Sequence, residues 1–347
     1  MKEKNIFFHK DFDYFKSEKF SDIGRRNNYI YDNLYIDYKK FCFPDNRYNN
    51  LSFQMEGNNN LIYCPITLES KKDEEKNINF FGEPFLIINK NIIENDHKKI
   101  LHNVFQDFKK KYSIKNFLFK FQIIEEDIKK SLNEEKKSID LIHSESRINL
   151  KNSLEKIFND FSKGHKSSLK TEYPELKYEL FDYKNYFKKQ IFEMMGLHEI
   201  VSKQKSRSEK TWEVMEKMIL DKKGFLIKVK NKDKLISYSF FFHNTYTSYY
   251  FSSCTVRENF KTFNNITHKT IWLALEHLKK IGCSYLHLGS TKTIYSSKNN
   301  WITKIYNLND KEAEKFQQKE VKVQRFKSSF GGEKNYFITY KDIPKEF

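Results

Sequence analysis

The chain is expected to fold as an α/β (α+β) protein of two lobes, each a mixed twisted sheet flanked by helices. Three observations carry this reading. Its 347 residues exceed one typical domain, so length favours two. Aromatic residues make up 16% of it, ample for a packed core in spite of a mean hydropathy of -0.78. Stretches with helical spacing of apolar residues also alternate with short strand-like runs along the whole chain. Only 5 Pro and 10 Gly are present, which argues against a disordered chain.

In the first part, residues 11–15 suit a short helix and 29–43 an irregular, strand-rich opening. Residues 51–55 and 61–66 read as a hairpin around the Gly- and Asn-rich turn 56–60. After the charged loop 71–76, residues 80–88 are a turn feeding a buried strand. Residues 95–112 predict an amphipathic helix, with Ile100, Leu101, Val104, Phe105 and Phe108 at helical spacing. A strand at 117–124 and a solvated, charged helix at 125–137 follow.

Residues 138–141 are short and extended, and the lobe boundary is expected here, between 140 and 141. Residues 150–161 predict a helix with Leu150, Leu154, Ile157, Phe158 and Phe161 on one stripe, and Gly164 ends it. A strand at 176–181, an amphipathic helix at 183–196 and a basic loop at 203–208 come next. Ser208 is the expected N-cap of a helix over 211–220, with Trp212, Met215 and Ile219 facing inward. Strands at 224–230, 235–243 and 246–255 form a meander, with alternation that suggests one packed face. A polar loop at 257–265 leads to a helix over 267–280, stopped by Gly282, and to a strand at 283–288. A polar segment around Lys298, a charged insertion at 307–319 and a closing strand carrying Phe326 and Lys327 complete the order.

The net charge is +17, with a pI near 9.3. It fits a solubilising lysine surface. It equally fits an anionic partner: a phosphorylated cofactor, a nucleotide-linked substrate, a tRNA or an anionic membrane surface. Cys42, Cys64, Cys254 and Cys283 form no CxxC pair and sit among apolar residues, as buried thiols of a reducing compartment do. The first residues have no apolar core of a signal peptide, and no run approaches the roughly 20 apolar residues of a membrane span. A cytoplasmic protein with at most peripheral contact with an anionic membrane is expected. There is no Gly-x-Ser-x-Gly, no metal-ligand spacing and no Walker-type loop, so the sequence offers no support for triad hydrolysis, a metal site or P-loop chemistry. A non-enzymatic nucleic-acid-binding protein is an alternative of another class. Against it, the basic residues are spread along the chain without an RNP-like or helix-turn-helix signature.

Several short stretches stand in one order over residues 161–332. They are Phe161-Ser162-Lys163-Gly164-His165-Lys166-Ser167-Ser168-Leu169-Lys170, Gly196-Leu197-His198 and Ser206-Arg207-Ser208-Glu209-Lys210-Thr211-Trp212. Tyr249-Tyr250-Phe251-Ser252-Ser253, His287-Leu288-Gly289, Lys298 and Phe326-Lys327-Ser328-Ser329-Phe330-Gly331-Gly332 continue the set. In this order they resemble the FemABX-like branch of the GNAT-superfamily acyltransferases, including the FemAB-like acetyltransferases of envelope and surface polysaccharide synthesis.

The resemblance implies tandem GNAT-like lobes, 1–140 and 141–347, with the acceptor in the cleft between them. It implies transfer of an acyl group from acyl-CoA, acetyl-CoA first, to an amine or hydroxyl of a nucleotide-linked or lipid-linked sugar or other envelope precursor. Phe326 and Lys327 would line the acyl site, the lysine holding donor or developing negative charge. Ser252 and Ser253, with Lys261 and Thr267, would hold the donor. Lys163, His165, Lys166, Arg207 and Lys298 would hold the acceptor, and no metal is implied. A general base is sought among His198, Glu199, His243 and His287, with His198 placed first. Two departures bear on the donor. The glycine-bearing loop of ordinary GNATs is absent, since 257–265 contains no glycine. The long charged helical hairpin often carried by aminoacyl-tRNA-using members is also absent. A CoA thioester is therefore the expected donor and aminoacyl-tRNA the alternative.

Overall fold

The computed structural model describes residues 6–8, 33–42, 46–50, 53–57, 60–64, 67–71, 76–79, 86–88, 95–123, 139–244, 246–292 and 310–341. The expected segments at 11–15, 125–137 and around Lys298 lie outside these residues.

The three runs rich in Phe, Tyr, Ile and Ser form the expected meander: β11 (Gly224–Asn231), β12 (Lys234–His243) and β13 (Thr247–Thr255), all antiparallel. Lys232, with φ at 53°, makes the tight turn between the first two. On one side β10 (Leu176–Phe181) pairs with β11. On the other, β13 pairs in parallel with β14 (Tyr285–Lys292), and the connection between them contains helix α8 (Ile266–Lys280). Beyond β14 the sheet continues through β9 (Ile139–Asn149), β15 (Glu333–Lys341), β8 (Ile114–Ile123), β6 (Lys76–Asn79), β5 (Thr67–Lys71) and β2 (Asn46–Asn50). Eleven described strands thus form one mixed sheet. A second, four-stranded antiparallel sheet holds β1 (Ile6–Phe8), β3 (Phe53–Gly57), β4 (Asn60–Cys64) and β7 (Leu86–Ile88).

Both faces of the meander are covered, not one. Leu226, Phe240 and Phe242 pack with Trp212, Met215, Met218 and Ile219 of α6 (Glu209–Leu220) and with Ile191 and Met194 of α5 (Lys188–Ser202). Phe225, Ile227 and Phe241 face the other way, against Ile271, Ala274, Leu275 and Leu278 of α8. Side chains of β12 from Ile236 to Phe242 are buried throughout, so the alternation in that run separates two cores rather than core from water. Each buried Leu, Ile or Phe is worth roughly 1.5–3 kcal/mol of transfer free energy.

Several boundaries differ from the sequence reading. Within the expected strand-rich opening 29–43, the described residues form a helix instead: α1 (Asn33–Cys42) sends Leu34, Tyr35 and Tyr38 into the core beside α6. The expected helix over 95–112 is α2 (Asn95–Tyr112). The short extension at 138–141 is the start of an eleven-residue strand, because β9 is paired on both flanks. Helix α3 begins only at Leu154, where Ser153 accepts a capping bond from Lys156 N (α3, Leu154–Asp160). Gly164 does not end a helix: it lies in the first turn of α4 (Lys163–Lys170), capped by Ser162. The polar loop 257–265 holds a single helical turn, α7 (Asn259–Thr262). The charged insertion and the stretch with Phe326 and Lys327 form one long helix, α9 (Asp310–Ser328), so that pair stands on a helix and not on the closing strand. The closing strand is β15, reached through Gly331 and Gly332, both at positive φ.

Cys254 and Cys283 are buried free thiols, pushed up to about 12 by desolvation, and Cys42 is half-buried. Among the described residues no helix is long and apolar enough to cross a membrane, and no His, Cys, Asp and Glu group has the arrangement of a metal site.

Candidate active site

Strands β13 and β14 share only three ladder pairs: Thr247 with Tyr285, Ser248 with Leu286 and Tyr249 with His287. Past that point each strand bulges. On β13 the register against β12 slips so that Phe251 is the extra residue. On β14 the register against β9 slips between His287 and Ser290, where Gly289 takes a φ of +85°. A bulge bends its strand and increases local twist. Two bulges on adjoining strands open a wedge whose apex is Tyr249 and His287.

Lys327 reaches this apex from the last turn of α9. Its Nζ donates a hydrogen bond to Ser290 O at 3.1 Å. It also lies 3.1 Å from where a Cβ on Gly289 would be, with Tyr249 Oη 3.3 Å from the same point. Burial lowers the Lys327 pKa to about 8, and the charges of Glu320 and Glu145 work against that shift. Glu145 is 7% exposed and stands opposite Ser290 in the β9–β14 ladder. Its Oε2 is 3.5 Å from His287 Nδ1, and its charge also acts on the buried Tyr35 of α1. Glu145 was not among the expected site residues. The signal for it is a lone carboxylate in the run from Leu141 to Ile148, which becomes visible only if the strand is not stopped at 141.

A second group lines the β13 side. Arg207 Nη1 donates to Ser252 Oγ at 2.9 Å, and its guanidinium lies over the rings of Trp212 (5.3 Å) and Tyr38 (5.8 Å). His198 belongs here: its Nδ1 is 3.2 Å from Ser206 Oγ and its ring packs edge-on against Trp212. Burial, then the Arg207 charge, lower the His198 pKa. Phe251 joins this group to the apex, since its ring contacts those of Tyr38, Tyr35 and Tyr249. Ser252 is buried while Ser253, its neighbour, faces out.

A third group surrounds the start of α8 and the end of α9. Asn265, the N-cap of α8, gives its side-chain amide to Thr171 O and makes no side-chain cap to the helix, so the first-turn N–H groups of α8 have no side-chain cap. Such a turn suits an anion. Thr267 lies in that turn and Lys261 is exposed on α7 just before it. His165 does not face this turn as a free cation: its Nε2 is 3.1 Å from Phe326 O, and its ring packs on Phe326, Phe330 and His268. Burial lowers the pKa of His165, and that of His268 to about 4. Lys166 Nζ donates to Asn159 O at 3.0 Å, and Lys163 is exposed. The structure thus joins Lys327, Phe326 and His165 around one helix end, and Arg207, Ser252 and His198 around one strand. Lys298 is outside the described residues.

No protein-family model and no curated protein matches the chain. Solved structures do. A crystal structure of FemX superposes with a TM-score of 0.59 at 11% identity, covering 90% of this chain and 92% of that one. A tandem GNAT protein from the clavulanic acid biosynthesis pathway superposes with a TM-score of 0.51 at 6% identity, covering 90% and 88%. The chain has the tandem GNAT fold. Identities this low establish the fold alone. In this fold β13 and β14 are the parallel neighbours, and their ladder ends after three pairs.

Proposed function

We propose that the protein is an acyltransferase that moves an acyl group from acyl-CoA to an amine, or a hydroxyl, of a sugar or cell-envelope precursor. The observation that carries this reading is the wedge between β13 and β14 with the Lys327 ammonium at its apex, in a chain of tandem GNAT fold. The donor supplies an activated thioester carbonyl. Seated in the wedge, that carbonyl lies beside Lys327, which is half-buried near the end of α9. As the acceptor nitrogen attacks, the C–N bond forms, the C–S bond breaks and negative charge grows on oxygen and then sulfur; the proton that the nitrogen sheds ends on the thiolate, which leaves as the free CoA thiol. Lys327, charged below its pKa of about 8, stabilises that charge. Losing one such donor typically costs about 10²–10³ in kcat.

The uncapped first turn of α8, with Lys261 beside it, supports a diphosphate-bearing donor even though its loop has no glycine. Arg207, stacked between Tyr38 and Trp212, suits an anionic group on a nucleotide-linked or lipid-linked acceptor. Residues 1–140 and 141–347 remain our proposed lobes, and a cytoplasmic setting goes with a CoA donor. An aminoacyl-tRNA donor is the second reading, favoured by the +17 charge and the Fem-type resemblance.

Calorimetric titration with acetyl-CoA, longer acyl-CoAs and aminoacyl-tRNA tests this directly. Saturable binding of an acyl-CoA is expected. Binding of aminoacyl-tRNA with none of any acyl-CoA would transfer the donor role to the second reading. Tight, salt-sensitive binding of random RNA alone would remove the enzyme reading in favour of a nucleic-acid-binding protein.

A further inference from the structure

The sheet brings one carboxylate to the acyl site that the reading above does not use. Glu145 and Ser290 are ladder partners, and Ser290 O is the acceptor of the Lys327 hydrogen bond. Lys327 and Glu145 therefore flank the same residue, one from a helix and one from the neighbouring strand. Gly289 leaves the space through which Nζ approaches.

We propose that Glu145 is a positioning residue for the transfer step: its buried carboxylate holds the Lys327 ammonium over Gly289 and keeps it charged. This deepens the acyltransferase reading and rests on it. A buried carboxylate at 7% exposure is costly unless a positive charge lies near it, and the half-buried ammonium of Lys327 is likewise partly desolvated. Placing the two around one peptide lets each charge act on the other, as the upward pull of Glu145 on Lys327 shows. The groups that face Lys327 are few among the described residues. Glu320 acts from its own helix, Glu145 from β9, Tyr249 from β13, and His287 from β14 stands 3.5 Å from the Glu145 carboxylate. Burial pulls Lys327 towards the neutral amine; Glu320 and Glu145 oppose it. Of the two, only Glu145 is fixed on a strand paired on both sides, so it sets where the charge sits as well as whether it persists.

The test is the pH dependence of turnover with saturating acyl-CoA, from neutral to alkaline pH. Turnover should fall as the pH rises through about 8, where Lys327 loses its proton. In Glu145→Gln the fall should move to lower pH by about 1 unit. Glu145→Asp, which keeps the charge on a shorter arm, should shift it less in the same direction, and it carries the test if the Gln variant does not fold. Lys327→Arg should remove this alkaline fall, because a guanidinium stays charged. A His287→Gln variant separates the contribution of the third member. An unmoved alkaline fall in Glu145→Gln, or a uniform loss at every pH, would overturn the proposal by leaving Glu145 a merely structural role. Lys327→Met separates the two levels. If it retains full turnover, the acyltransferase role of Lys327 falls and takes this proposal with it. If it is inactive while the Glu145→Gln profile stays in place, only the role of Glu145 falls.

Discussion

Lys327 Nζ occupies the space that a side chain on Gly289 would enter, 3.1 Å from the missing Cβ. Gly289 also has a φ of +85°, which an L-residue adopts at a cost of about 1–2 kcal/mol. Gly289→Ala is therefore expected to lower stability by roughly that amount and to push Lys327 away from Tyr249. Turnover should fall by at least about tenfold, which is only about 1.4 kcal/mol of lost transition-state stabilisation. Thermal unfolding and steady-state kinetics read the two effects separately. Full turnover with the stability loss alone would show that the close approach is not needed.

Arg207 is pinned by Ser252 and by two aromatic rings, so its guanidinium is preorganised before any ligand arrives. Arg207→Lys keeps the charge but loses the planar stack. We expect the KM for the acceptor to rise about tenfold, with kcat changing less, as for a residue that binds ground state and transition state alike. Kinetics over a range of acceptor concentrations decide this, and an unchanged KM would remove Arg207 from the acceptor site.

Lys228 is almost fully buried on β11 and forms a close ion pair with Glu193 of α5, whose other hydrogen bond comes from Tyr238 Oη at 2.8 Å. Removing one member strands the other. Glu193→Ala should cost about 3 kcal/mol in urea unfolding, and Lys228→Met made together with it should recover part of that loss. A loss below about 1 kcal/mol would mean that water replaces the carboxylate.

His243 sits at the end of β12, where burial lowers its pKa to about 4 from an ordinary 6.5. The unfolded chain then binds the extra proton and the folded chain does not. Stability contributed by the neutral ring is complete above 6.5 and is lost as the pH falls towards 4. The loss should reach roughly 3 kcal/mol. His268, also lowered to about 4, adds to it in the same direction. Melting temperatures measured down this window should fall, and His243→Gln should flatten the fall. Parallel curves would assign the acid sensitivity elsewhere.

The meander and the helix after it were legible because their periodicity is local: Ile271, Leu275 and Leu278 make one stripe, and Phe240 to Phe242 an unbroken apolar run. Helix α9 was not, because its first turns are charged on nearly every side and its apolar positions, Val321, Val323 and Phe326, also suit a strand. Lys327 and Gly289 could be picked out through the resemblance of the runs around them. Glu145 could not, since ending the strand at 141 hides the run around it, and its place beside Ser290 depends on β9 lying next to β14, more than a hundred residues away. Residues 29–43 misled for a related reason: the run is rich in Tyr, Ile and Phe, residue types that suit a strand, yet Tyr35 and Tyr38 stand three apart and form a helix face once α6 and Phe251 are there to receive them.

Strand β15 lies between β9 and β8, in the interior of the eleven-stranded sheet. It is the last described strand in sequence, and it pairs with residues that left the ribosome about two hundred positions earlier. Synthesis runs from the N-terminus, so β8 and β9 must wait with open edges while α3 to α9 are made. The seam between the two halves of the sheet can close only after Gly331 and Gly332 have emerged. A chain interrupted before them would present two unpaired strand edges, and its first hazard during biosynthesis would be pairing with a neighbouring chain rather than failing to fold.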